Sequence, residues 1–189
     1  AALATGKTLA IGGSGFSAGS LRLRGFTQTG STAQSLSVTT GTAALYLETG
    51  TTFNGAVTFE FPQVYLSGST FASTASITKG GATDNSGSGG CTFSSTATII
   101  NSGSGRLTLG GTNPDIFNGN LTLSSTGSSL IQVAHTSSSN EFNGNIVLNS
   151  TGTSQGVKFG QNGGTSTLAS TKTVTIGGSG FSSGELAFR

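Results

Sequence analysis

One triplet returns at near-even intervals along this chain. Phe-Asn-Gly occurs at Phe53-Asn54-Gly55, Phe117-Asn118-Gly119 and Phe142-Asn143-Gly144, with looser copies between them at Phe71-Ala72-Ser73 and Phe93-Ser94-Ser95. Phe26-Thr27-Gln28 precedes the set and Leu168-Ala169-Ser170 follows it. From Phe26 the steps are 27, 18, 22, 24, 25 and 26 residues. Such a period is the signature of stacked repeats. One coil of this length cannot bury its apolar face alone, but it can do so against its neighbours.

A second echo sets a longer period. Residues 3–24 read LATGKTLAIGGSGFSAGSLRLR and residues 168–189 read LASTKTVTIGGSGFSSGELAFR, identical at 14 of 22 positions with an offset of 165. Leu3 therefore takes the place of Leu168, and its step of 23 to Phe26 lies inside the range of the others. The expected column is Phe26, Phe53, Phe71, Phe93, Phe117, Phe142 and Leu168. Seven coils make one super-repeat. Residues 1–189 read as a single segment holding one super-repeat and the start of the next, a window on a longer array.

Within each period the apolar residues alternate, and no 3.6-residue stripe of helical length is present. First pieces open shortly after the column residue, as in Leu9-Ala10-Ile11, Val57-Thr58-Phe59, Leu121-Thr122-Leu123 and Val174-Thr175-Ile176. Second pieces follow, as in Leu21-Arg22-Leu23, Leu45-Tyr46-Leu47, Val64-Tyr65-Leu66 and Val157-Lys158-Phe159. The column residue and its neighbours make the third. Period two sends one set inward and the other outward. Gly and Asn turns separate the pieces. The coil opening at Phe71 shows no clear second piece, and Gly80–Gly90 fills its place as a loop leaving the coil. Pro62 and Pro114 fall at strand edges or corners. The expected fold is all-β: a right-handed parallel β-helix (β-solenoid) of about seven coils with three short strands each. The right hand follows the usual sense of parallel crossovers.

Charged residues make up only 7% of the chain, so Ser, Thr, Gly and Asn must supply the polar surface. With 2 Pro and no strict glycine period, the 32 Gly do not make collagen. No basic cluster exists beyond Arg22 and Arg24, which argues against nucleic acid. No apolar run approaches the length of a membrane helix, and no signal peptide is visible. The single Cys91 reads as a small buried residue beside Phe93.

Candidate chemistry is sparse. Asp115 and Glu141 fall on adjacent coils but differ by one in phase, so their carboxylates should face opposite ways, and all six acids read as solvated surface groups. His135 stands alone and reads as a surface strand-end residue. Gly12–Gly15 and its echo Gly177–Gly180 lack the Lys-Ser/Thr of a phosphate loop and read as turns. Thr58, Thr78, Thr98, Thr122 and Thr175 recur in first pieces, as an ice-ordering face would require, although not all at one phase. Tyr46 and Tyr65 sit mid-strand on neighbouring coils and are the candidates for surface contact, for example with a sugar ring. Asn118 and Asn143 should form a short amide ladder.

The GGSGF elements ending at Phe16 and Phe181, the TFNG element at Thr52–Gly55 and the FNGN elements at Phe117–Asn120 and Phe142–Asn145 resemble those of very large secreted repeat proteins of Bacteroidetes-type bacteria. The resemblance implies an extracellular, cell-surface fibre or adhesin built from tandem β-solenoid units, and it carries no catalytic residues. The expectation is a structural repeat unit: a rigid stalk or spacer, neither an enzyme nor a cofactor binder. Its partners would be neighbouring copies of the same repeat, covalent or head-to-tail, with glycans or surfaces as weak multivalent contacts. The competing expectation is a binding module for ice or carbohydrate.

Overall fold

The computed structural model describes residues 1–11 and 16–189. All regular structure among them is β, and the chain forms a parallel β-solenoid of about seven turns. From the second coil on, each coil contributes one strand to each of three faces. The column face is an eight-stranded sheet running from Ala2–Leu3 through Thr27–Gln28, Thr52–Phe53, Thr70–Phe71, Thr92–Phe93, Ile116–Phe117 and Asn140–Phe142 to Ser166–Leu168. The broad face is a seven-stranded sheet of Gln34–Ser37, Val57–Phe61, Ala75–Lys79, Ala97–Asn101, Leu121–Ser125, Ile146–Ser150 and Val174–Phe181. The third face is split into a three-stranded sheet from Ser20–Leu23 to Gln63–Leu66 and a five-stranded sheet from Asn85–Ser86 to Glu185–Phe188. The turn expected at Gly12–Gly15 lies outside the described residues.

Pairing in register between coils puts like over like. In the broad sheet Leu36, Phe59, Ile77, Ile99, Leu123, Leu148 and Ile176 form one inward file. On the column face Phe53, Phe71, Phe93, Phe117 and Phe142 stack with ring centroids 5.9, 4.7, 4.7 and 5.4 Å apart and planes within 11° of parallel. One continuous apolar core joins these files along the axis. Such aromatic pairs add about 0.5–1.5 kcal/mol each beyond the area they bury.

Four local readings are corrected by the structure. Phe26 lies outside the file: Leu3 pairs with Gln28 and Thr27 with Thr52, so Gln28 holds the register position level with Phe53. Gln28 is buried, and its carboxamide accepts from the Gly55 amide at 3.1 Å. Phe26 packs obliquely on Phe53 at 5.7 Å and 47° instead. The Phe-x-x pattern alone could not separate a two-residue slip, since period two keeps both residues inward.

Second, Gly80–Gly90 is not a free excursion. Asn85–Ser86 is the missing second strand and pairs with Leu107–Thr108. The Gly81 amide donates to the Pro62 carbonyl at 2.9 Å, and Gly89 bridges Ser67 and Asn113. Towards the preceding coil, the Asn85 side-chain oxygen accepts from the Val64 amide at 3.1 Å, which spans the break in the third face. Third, the Gly177–Gly180 turn is an outward bulge within a strand: Ile176 pairs with Leu148 and Phe181 with Ser150, so four residues oppose Asn149. Fourth, Leu9-Ala10-Ile11 forms no strand; the Leu9 amide donates to the buried Gln34 side chain at 2.8 Å.

The 165-residue echo is visible in the coordinates. Ser20–Leu23 and Glu185–Phe188 are equivalent strands at opposite ends of the stack. Thr171 occupies the place of Gly6 and keeps its left-handed backbone, with φ of 72° against 77°. A β-branched residue is strained there. Thr171→Gly is expected to stabilise the chain by about 1 kcal/mol, read as a raised urea midpoint at unchanged slope.

Candidate functional site

The largest organised surface is the outward side of the broad sheet. Register places Ser35, Thr58, Ser76, Thr98, Thr122, Val147 and Thr175 in one file, hydroxyl-bearing at every coil but one. Adjacent members stand about 4.8 Å apart, the spacing of parallel strands. Of the five threonines singled out above, Thr78 belongs to a parallel file with Ser37, Glu60, Ile100, Ser124 and Asn149. Ser35 and Ser76 complete the first file in its place. This second file is chemically mixed, so the sheet presents one regular hydroxyl row rather than two.

Tyr46 and Tyr65 lie in register on the third face, stacked at 4.3 Å and 2°. The Arg22 guanidinium covers the other side of Tyr46, 3.7 Å from the ring centroid, and pairs with Glu48 at 2.7 Å. Stacking a sugar needs a free aromatic face, and both faces of Tyr46 are occupied. One face of Tyr65 is covered by Tyr46, and both rings border a shallow hollow lined also by Arg24, Thr49, Ser67 and Ser88. Burial pushes the Tyr65 phenol above its usual range, with smaller opposing influence from Asn85.

The two most perturbed charges lie inside the solenoid. Lys79 occupies the fifth position of its strand, in the inward file with Phe61, Asn101 and Ser125. Its ammonium donates to the Gly81 and Gly105 carbonyls, at 2.5 and 2.9 Å. Burial pulls its pKa down to about 8, against a smaller opposing pull from Asp84. Asp115 is 2% exposed, which corrects its reading as a solvated acid. Its carboxylate accepts from the amides of Cys91 at 2.8 Å and Gly110 at 2.6 Å. Burial nevertheless pushes its pKa up to about 6, with these backbone donors opposing the shift. Both residues stand two places from an inward apolar residue, Ile77 and Phe117. Period two therefore pointed them inward, and only their charge argued otherwise.

These shifts give a pH dependence. Folded Asp115 holds a proton that the unfolded chain has lost between about pH 4 and 6, so stability falls as pH rises through that window. Unfolded Lys79 holds a proton that the folded chain has lost between about pH 8 and 10.5, so stability rises through that window. The expected urea midpoint is therefore higher at pH 10 than at pH 7.5, and the Lys79→Met chain should lack this rise. The Asp115→Asn chain should likewise lack the Asp115 share of the change between pH 4 and 6.

The remaining candidates do not converge. Glu141 is exposed and pairs in register with Ile116, so it faces away from Asp115, as its phase required. His135 is half-buried beside Asn162, with its ring nitrogen 3.0 Å from the amide nitrogen. Burial, then Arg106, hold its pKa below the usual value. Cys91 is fully buried, and burial pushes its thiol well up. Asn143 donates to Asn118 at 3.0 Å, which makes the short amide ladder, while Asn54 donates to the Gln28 carbonyl at 2.7 Å. Among the described residues, no three His, Cys, Asp or Glu side chains group as metal ligands. Among the described residues no helix is long and apolar enough to cross a membrane. Comparison with protein-family models, curated protein sequences and solved structures gives no match.

Proposed function

We propose that this chain is a structural repeat unit of an extracellular bacterial fibre or adhesin, and that it acts as a rigid stalk or spacer between neighbouring copies of itself. The observation that carries the reading is the unbroken file of Phe53, Phe71, Phe93, Phe117 and Phe142 beneath a parallel backbone ladder. Both run along one axis, so bending the rod would open hydrogen bonds and aromatic stacks together. A hydroxyl-rich exterior keeps such a rod wet with few charges. The resemblance of the GGSGF, TFNG and FNGN elements to secreted repeat proteins supports the location. Antibodies raised against the folded chain should label intact producing cells or their shed fibres. Labelling that appears only after permeabilisation would overturn the location.

A second reading is favoured by the hydroxyl file from Ser35 to Thr175: a binding face for ice or carbohydrate. Thermal hysteresis that is lost in Thr98→Leu, Thr122→Leu, or a glycan-array signal lost on the same substitutions, would establish it over the spacer. The spacer reading expects neither activity.

A further inference from the structure

The three-stranded part of the third face carries an outward array that a plain stalk does not need. Arg22, Tyr46 and Tyr65 stand in register on three successive coils. Two places further along each strand come Arg24, Glu48 and Ser67, which period two turns to the same side. The backbone ladder continues through this second row: the Glu48 amide donates to the Leu23 carbonyl and the Ser67 amide to the Leu47 carbonyl, both at 2.8 Å. The next coil adds Ser88, whose amide donates to the Ser67 hydroxyl at 3.1 Å. These residues line one open hollow of about 390 Å³. It crosses four coils, about 14 Å along the axis.

The hollow is charged on a chain that is almost without charge. The 189 residues include 8 basic and 6 acidic ones, yet Arg22, Arg24 and Glu48 meet here. Glu48 is already paired: Arg22 bonds it at 2.7 Å while lying over Tyr46, 3.7 Å from the ring centroid. Arg24 is exposed and forms no ion pair among the described residues. One guanidinium charge is therefore in excess, and the rest of the lining is hydroxyl groups and two tyrosine rings.

We propose that this hollow binds a short acidic saccharide, with a sugar carboxylate on Arg24 and sugar hydroxyls on Thr49, Ser67 and Ser88. The planar fork of a guanidinium matches a carboxylate with two parallel hydrogen bonds. Serine and threonine hydroxyls both donate and accept, as sugar hydroxyls do. Tyrosine offers an apolar body and a polar tip, which fits the mixed C–H and O–H edge of a sugar. The sugar packs beside the rings rather than on Tyr46, whose two faces are taken by Tyr65 and Arg22. Arg22 also occupies the Glu48 carboxylate, which would otherwise compete for Arg24. Nucleic acid would need a run of cations, and one unpaired guanidinium does not supply it. The proposal goes beyond the stalk reading and leaves it intact. It also uses a different face from the hydroxyl file, so the Thr98→Leu, Thr122→Leu chain should bind the saccharide as the wild type does.

The chain carries its own reporter: it has 2 Tyr and no Trp, and both tyrosines border the hollow. A galacturonic acid trimer titrated into the full chain is followed by isothermal calorimetry for affinity and by tyrosine fluorescence for location. Saturable heat and a matching fluorescence change are expected at concentrations up to about 10 mM, and added salt should weaken both. The methyl-esterified trimer keeps the sugar and removes the charge; acetate keeps the carboxylate and removes the sugar. Each should bind more weakly by about tenfold or more. Arg24→Gln should lose affinity for the trimer by a similar factor at an unchanged urea midpoint, and Arg24→Lys should fall between it and the wild type. A wild-type chain that gives no saturable heat, an ester or acetate that binds as well as the trimer, or an Arg24→Gln chain that binds as the wild type does would each overturn the proposal. So would binding that is lost in the Thr98→Leu, Thr122→Leu chain, which would move the sugar to the hydroxyl file.

Discussion

Phe93→Ala is expected to destabilise the chain by about 3–5 kcal/mol, the range for emptying a buried aromatic site. Phe93 is 1% exposed and sits midway along the file, 4.7 Å from both Phe71 and Phe117 with ring planes 8° and 3° from parallel. Its removal deletes two stacks and leaves a cavity that the neighbours cannot close, because each is pinned by its own ladder. Phe93→Leu keeps most of the volume and should cost less. Phe26 provides the contrast. It lies two residues out of register, tilted against a single column ring, so Phe26→Ala should cost roughly half as much. Equilibrium urea unfolding of the three variants gives the comparison, with unchanged slope showing that stability alone has moved. Equal losses at Phe26 and Phe93 would argue against the column as the chief source of stability.

Gly119→Ala is expected to be comparably damaging, at about 3 kcal/mol or more, although it adds only a methyl group. A Cβ at Gly119 would lie 2.3 Å from the Ser95 carbonyl carbon, 2.5 Å from its oxygen and 2.6 Å from the Thr96 nitrogen. All three are backbone atoms of the preceding coil, so relief requires separating the two coils. One coil further on, a Cβ at Gly144 would lie 2.3 Å from the Gly119 carbonyl oxygen. This is the physical reason for the third residue of the triplet in the coils opening at Phe117 and Phe142, where the corner comes closer to the preceding coil than a side chain permits; the coils at Phe71 and Phe93 carry Ser73 and Ser95 there. Gly178 meets nothing within 4 Å, so Gly178→Ala should change stability by less than about 0.5 kcal/mol. A similar loss at both glycines would show that the effect comes from backbone entropy rather than from the approach of two coils.

The architecture was legible because a stacked fold writes the same environment into the sequence many times. Phe53, Phe71, Phe93, Phe117 and Phe142 share one environment, so one residue type recurs at one phase. The exceptions lie where that repetition lapses. Gln28 replaced the aromatic residue in the second coil, and the nearby Phe26 took its place in the count. Asn85–Ser86 is a strand without apolar residues, held by backbone pairing with Leu107–Thr108 and by the Asn85 side chain on the Val64 amide, so it looked like a loop. Asp115 is inward by alternation, but its charge argued for the surface; the Cys91 and Gly110 amides that hold it, like the Gly81 and Gly105 carbonyls that hold Lys79, leave no mark in the alternation. The outward surface was the least legible part. Whether Thr58 and Thr122 share a file depends on register, and the coil steps, from 18 to 27 residues by the triplet count, hide register from simple counting.

Distances between labels on the hydroxyl file test the stacking itself. In a Cys91→Ala background, nitroxides would be attached through Ser35→Cys paired in turn with Thr122→Cys, Val147→Cys and Thr175→Cys. These sites lie four, five and six coils apart on one face. Pulsed electron spin resonance should give narrow distributions near 19, 24 and 29 Å, rising by about 4.8 Å per coil. Broad distributions, or distances that do not increase by one even step per coil, would contradict a solenoid in which equivalent residues stand one above another.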